Sequence, residues 1–216
     1  MSEATMPDSS YALLHWRWVT LWKVIGATGD PMPDFLDLVK RYSETHRAYH
    51  TLTHLLQCFD MYDAVWMYAD DFRALEFAIF FHDVVYDTKA KDNEEKSADL
   101  ADYVCTRANV SAELIAQIVS NIMATKHPCP AVTQDEKLIS DIDLSVLGQS
   151  EEDFDRYEQS VRQEYSWVPE DLFRKGRAQI LRAILAHPQI YHTPYFSHYE
   201  EPARANLKRS LSALES

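Results

Sequence analysis

The chain has 216 residues, 46% of them apolar and 12% aromatic, enough to bury one continuous core and too few for two comfortable ones. A formal charge of −13 opposes a nucleic-acid polymer, whose capture depends on neutralising phosphates, yet leaves room for a small phosphorylated substrate beside a bound cation. Cys58, Cys105 and Cys129 lie far apart without CxxC or zinc-ribbon spacing, and neither a secretory leader nor a run of about 18 apolar residues occurs, so a reducing, cytoplasmic, non-membrane setting is expected.

Residues 1–10 are polar and expected to be flexible, ahead of one helical domain over 11–216. Tyr11 to Ala27 carries four aromatics at three- and four-residue spacing and reads as a packed amphipathic helix. Pro33 suits the first turn of a second helix running to Tyr42, and SETHRAYHTLTH (43–54) is a polar junction. From Thr51 to Tyr68, Leu52, Leu55, Leu56, Phe59, Tyr62 and Trp66 repeat at helical spacing. His54 lies at the edge of that face, while Thr53, Gln57, Asp60 and Ala64 fall opposite, so His54 is expected to point inward.

ALEFAIFF (74–81) is apolar nearly all round, the pattern of a helix buried on most sides, and runs straight into His82-Asp83. After the loop VVYDTKAKD come helices over 93–108 and 111–125, the second capped by Ser111 and ended by Pro128 and Pro130. A helix over Gln134 to Leu147 carries Asp141 and Asp143 and stops at Gly148. Three more begin near Glu151, Pro169 and Glu201, the last two joined by the aromatic-rich IYHTPYFSHY. The fold class predicted is an all-α bundle of about ten helices.

A His-Asp dipeptide alone means little, since about one is expected by chance in this composition. Its place does matter, because ionisable groups at the end of an all-apolar helix need partners, and a metal would be one. His54, His82, Asp83 and Asp143, from three helices, form a mixed imidazole and carboxylate set suited to one divalent ion with positions left for water and substrate. Manganese, iron, cobalt, nickel, zinc and magnesium all fit such a set. The competing reading is a metal-free polar network in which these groups satisfy one another.

The strings YHTLTH, FFHDVVYD and SDIDLSVLG resemble, in order and spacing, the H…HD…D ligand motif of the HD metal phosphohydrolase superfamily. With NEEKSA and ATKHP added, the chain is similar over about residues 40 to 210 to a subgroup of predicted metal-dependent phosphohydrolases within it. The resemblance implies an all-helical fold, a divalent metal and hydrolysis of phosphate esters, but no particular substrate; a small phosphate ester of the nucleotide class is the expectation. It matches His54 to the first histidine, His82-Asp83 to the signature pair, and Asp143 rather than Asp141 to the distal aspartate. Two residues apart on a helix, those aspartates face nearly opposite ways.

Asp83 is the expected water-orienting group, and Glu94 and Glu95 are candidates for general acid or base, against the alternative of dipole-complementing glutamates at a helix start. Arg47, Lys126 and Arg204 are candidate phosphate cations, Arg47 foremost because it precedes His54 in the junction. His50 and His127 are candidates for substrate contact or a second metal, and His15, His46, His187, His192 and His198 read as helix-end or surface groups. Two further readings stay open: a non-catalytic metal- or nucleotide-binding regulatory module, and a di-iron oxygenase with additional ligands. The sequence does not specify an oligomeric state.

Overall fold

The structure, a computed structural model, describes residues 8–126 and 131–216. Among the described residues it is all-helical, with ten α-helices: α1 (Asp8–Val24), α2 (Met32–Tyr42), α3 (Leu52–Val65), α4 (Phe72–Phe81), α5 (Asn93–Arg107), α6 (Ala112–Ala124), α7 (Gln134–Asp143), α8 (Glu151–Glu164), α9 (Glu170–Ala186) and α10 (Glu200–Glu215). Three 3-10 segments, Trp66–Tyr68, Leu144–Gly148 and Pro194–Tyr199, punctuate them. No helix among the described residues is long and apolar enough to cross a membrane.

α4 is the central strut, packed against α1, α3, α5, α6 and α7. Its composition explains the position, because a helix apolar on all sides is stable only when other elements cover every side. Phe77, Phe80 and Phe81 are at most 1% exposed. Trp18 of α1 lies among them, with ring centroids at 5.5, 5.3 and 6.1 Å. The one charge in the 74–81 stretch of α4, Glu76, meets Arg17 Nη1 at 3.3 Å and the Tyr62 hydroxyl at 3.3 Å, and Arg17 also pairs with Asp63.

Helix starts follow local chemistry. Asp71 caps α4 by accepting from the backbone N–H groups of Arg73 and Ala74 at 3.0 and 3.4 Å. Ser111 caps α6 as expected, and Thr133 with Glu136 forms a capping box at α7. Several ends differ from the periodicity. α1 already includes Asp8–Ser10 and stops at Val24, where Gly26 at φ +72° takes the left-handed turn that ends a helix. Residues 1–7 of the stretch expected to be flexible lie outside the described residues.

α3 ends at Val65 rather than Tyr68, and α7 ends at Asp143, its last turn tightening into the 3-10 segment Leu144–Gly148. Gly148 follows for a packing reason: a Cβ there would lie 2.7 Å from Cβ of Tyr199 and 2.8 Å from its carbonyl oxygen. Only glycine lets the 194–199 segment approach so closely. The early end of α7 matters for the site, because it leaves Asp143 at a helix terminus.

Candidate metal centre

Three helix ends deliver the chemistry. Thr51 caps α3 by accepting from the Thr53 N–H at 3.3 Å, which places His54 in the first turn on the buried face. The apolar α4 drives His82, its C-terminal cap, into the interior with Asp83 behind it. Asp143 closes α7. Two of the three are helix C-termini, whose partial negative charge favours a cation.

The side chains converge. His54 Nε2 lies 3.1 Å from His82 Nε2, 3.5 Å from Asp83 Oδ2 and 3.4 Å from Asp143 Oδ1. His82 Nε2 lies 3.2 Å from Asp83 Oδ2 and 3.7 Å from Asp143 Oδ1. Ligand atoms about 2.1 Å from one metal ion at octahedral or tetrahedral angles stand about 3.0–3.4 Å apart, so these separations suit a shared cation.

Protonation points the same way. His82 Nδ1 donates to the Ile79 carbonyl at 2.8 Å, which fixes the tautomer of the neutral ring and aims the Nε2 lone pair at the cluster. A proton on His54 Nε2 would then serve only one of three acceptors lying within 3.5 Å. With protons as the sole cations, burial lowers both imidazoles, but their neighbours outweigh it. Cys58, Tyr49 and the two aspartates lift His54 well above the usual range, and Asp83 does the same for His82. Burial would raise Asp83, yet His82 and His50 hold it well below the carboxylate range. Metal and protons therefore compete for the same atoms.

Cys58, one helical turn beyond His54, brings its Sγ to 3.6 Å from His54 Nε2. His54, Cys58, His82 and Asp143 offer ligand atoms all within 4.8 Å of one another, while Asp83 Oδ2 sits close to both imidazoles. A thiolate in the set would shift preference from magnesium towards zinc, iron or cobalt. The i, i+4 spacing of His54 and Cys58 was the available sequence signal, since such residues share a helix face.

No family model matches the chain, and a search of the curated proteins finds no match either.

Asp141 turns away from the cluster: its carboxylate accepts from the His192 and Thr193 backbone N–H groups at 2.8 Å each and from the Thr193 hydroxyl at 2.6 Å. It fastens the 192–193 turn to α7. Asp143 lines two cavities that meet at the centre, one of about 610 Å³ and one of about 450 Å³. His50, Asp83 and Glu94 line the larger; His54 and Cys58 line the smaller.

Of the candidate cations, Arg47 is engaged as a structural clamp. Its buried guanidinium donates to the carbonyls of Asp83 at 2.7 Å, Val84 at 3.0 Å and His50 at 3.1 Å, and to Glu44 at 3.1 Å. Lys126 pairs with Glu95 and donates to the Lys91 carbonyl at 3.3 Å, and neither Lys126 nor Glu95 lines either cavity. Arg204 ties Glu200 to the carbonyls of Leu185, His187 and Pro188. His127 lies outside the described residues.

His50 does reach the site, stacked on Tyr86 at 4.1 Å with Nε2 3.9 Å from Asp83 Oδ2. Behind it stands Glu164, which sequence reasoning missed. Its Oε1 accepts the backbone N–H groups of Ala48, Tyr49 and His50 at 2.8, 2.8 and 3.0 Å. Its Oε2 meets His50 Nδ1 and the Tyr86 hydroxyl, each at 2.8 Å. Burial would raise this carboxyl, but His50 and the backbone donors outweigh it and bring it down to about 2. No local pattern announces a partner 114 residues away.

Proposed function

We propose that the protein is a metal-dependent phosphohydrolase of the HD type acting on a small phosphate ester. The observation that carries this reading is the meeting of His54, His82, Asp83 and Asp143, of which Asp83 and Asp143 line a 610 Å³ cavity with their side chains still 18% and 21% exposed. These four, with Cys58 beside them, would hold a divalent cation, which would supply Lewis acidity towards phosphoryl oxygens and towards water.

The chain's own groups then have separate tasks. Asp83 faces both the imidazoles and the cavity, so its carboxylate can orient an incoming water. His50, held from behind by Glu164, brings its Nε2 to 3.9 Å from the same Asp83 Oδ2. Glu94 lines the same cavity, and burial, reinforced by the charge of Asp83, raises its carboxyl, which favours the protonated form that can donate to a leaving oxygen. In balance, a water oxygen bonds to phosphorus, the ester P–O bond breaks, the leaving oxygen takes a proton, and an alcohol and inorganic phosphate result.

A regulatory module that binds metal without turnover is the second reading, favoured by the engagement of Arg47 and Arg204 with backbone carbonyls. Elemental analysis of the purified protein beside Asp83→Ala, with hydrolysis of phosphate esters recorded on the same samples, separates the two. About one equivalent of metal, lost in the variant together with turnover, is the expected outcome. Metal without turnover supports the module, and absence of metal after reconstitution overturns both.

A further inference from the structure

The larger cavity has two unlike ends. Against α4 and α7 it is polar, with His50, Asp83, Glu94 and Asp143. Between α8 and α9 it is a trough of apolar side chains: Val161 from α8, Tyr165 just past its end, and Leu172, Phe173, Ile180 and Ile184 from α9. Leu172 and Ile180 are 55% and 51% exposed, an unfavourable state for large aliphatics unless something covers them.

Gly176 lies in the middle of this face, in the interior of α9, where glycine is the poorest residue after proline. Packing does not demand it, since a Cβ there would meet nothing within 4 Å, and its φ is not left-handed. What the missing side chain leaves is room in the trough.

Charge narrows what can fill that room. Among the described residues lining the cavity there is no lysine, and the one arginine, Arg177, is turned to Glu158 at 3.1 Å and to the Tyr157 hydroxyl at 2.9 Å. A diphosphate or triphosphate would face Asp83, Glu94 and Asp143 with no free lysine or arginine for its outer charges, only the imidazoles of His50 and His187.

We infer that the substrate is a monophosphate ester of an apolar alcohol, its aryl or alkyl group lying along α9 over Gly176 and its phosphate at the His54–His82–Asp83–Asp143 centre. The assignment of the phosphate end rests on the phosphohydrolase reading above; the apolar end rests on the trough alone.

The test uses the full chain loaded with manganese and the non-hydrolysable methyl-, phenyl- and octylphosphonates, with affinities read by calorimetry. Phenyl- and octylphosphonate are expected to bind about tenfold or more tightly than methylphosphonate, the gain from burying one apolar group. Gly176→Leu, which keeps a good helix former in place, is expected to abolish that preference while methylphosphonate affinity and metal content stay unchanged. Equal affinities for the three ligands, a preference that survives Gly176→Leu, tighter binding of a nucleoside diphosphate, or a homodimer that buries Leu172 and Ile180 would each overturn the inference. If phenyl phosphate and a nucleoside monophosphate are both left intact while the phosphonate preference holds, the phosphohydrolase reading fails and the apolar subsite stands.

Discussion

Two buried polar clusters flank the core, and they are built on opposite accounts of donors and acceptors. Around Arg17, guanidinium nitrogens meet the carboxylates of Asp63 and Glu76, Tyr62 donates to Glu76, and the ring of Phe59 lies 4.9 Å from the guanidinium. Around His54, two imidazole nitrogens face each other at 3.1 Å with a carboxylate oxygen of Asp83 within 3.5 Å of both. The first cluster contains its own cation, while the second brings together ligand atoms that could hold one. Charge alone does not separate a structural network from a metal centre; the direction of lone pairs does.

Substitution sharpens the contrast. The largest effect is expected at the self-contained cluster: Arg17→Met leaves Glu76 buried without its cation, which costs about 3–5 kcal/mol. Denaturant melts would show this loss, with metal content unchanged.

Next comes Glu164→Ala, which removes the acceptor for three backbone N–H groups and the partner of His50 and Tyr86. A carboxyl brought from 4.5 down to about 2 corresponds to about 3 kcal/mol. Because the folded-state value is the depressed one, this contribution is fully present above the unfolded value and fades as pH falls from about 4.5 towards 2. Acid titrations of wild type and variant, followed by circular dichroism, should converge over that window.

The smallest stability change, and the clearest functional split, comes from the two aspartates of α7. Asp141→Asn weakens the hold on the 192–193 turn by about 1–2 kcal/mol and leaves metal content intact. Asp143→Asn should barely alter the metal-free melt yet weaken metal affinity by about 100-fold or more, beyond the usual effect of losing an outer partner of a ligand. If Asp141→Asn proves to be the variant that loses metal, the assignment of the two faces is wrong.

The helices were legible because their apolar stripes and caps are local: the all-round apolar 74–81 placed α4 at the centre, and the wheel of α3 turned His54 inward. The choice of Asp143 over Asp141 came through motif order; in the structure Asp143 lies beside His54 and Asp141 accepts from the 192–193 turn. The engagement of Arg47 was not legible because sequence shows a cation beside a histidine and hides three carbonyls, two of them from a segment more than thirty residues on. Glu164 stayed hidden because an acidic helix end reads as solvated surface until the 48–50 turn is folded against it. Cys58 was set aside for lacking a cysteine partner, when the relevant spacing was to a histidine.

The Arg47 clamp bears on how reversibly the centre can be emptied and refilled. Backbone carbonyls do not titrate in the accessible range and a guanidinium does not lose its proton, so the strut joining the 47–50 turn to the carbonyls of Asp83 and Val84 is indifferent to acid and to chelator alike. If the four groups hold an ion as proposed, the socket thus keeps its shape through an exchange of ions, and a chelated sample should regain metal on simple dialysis, without a cycle of unfolding.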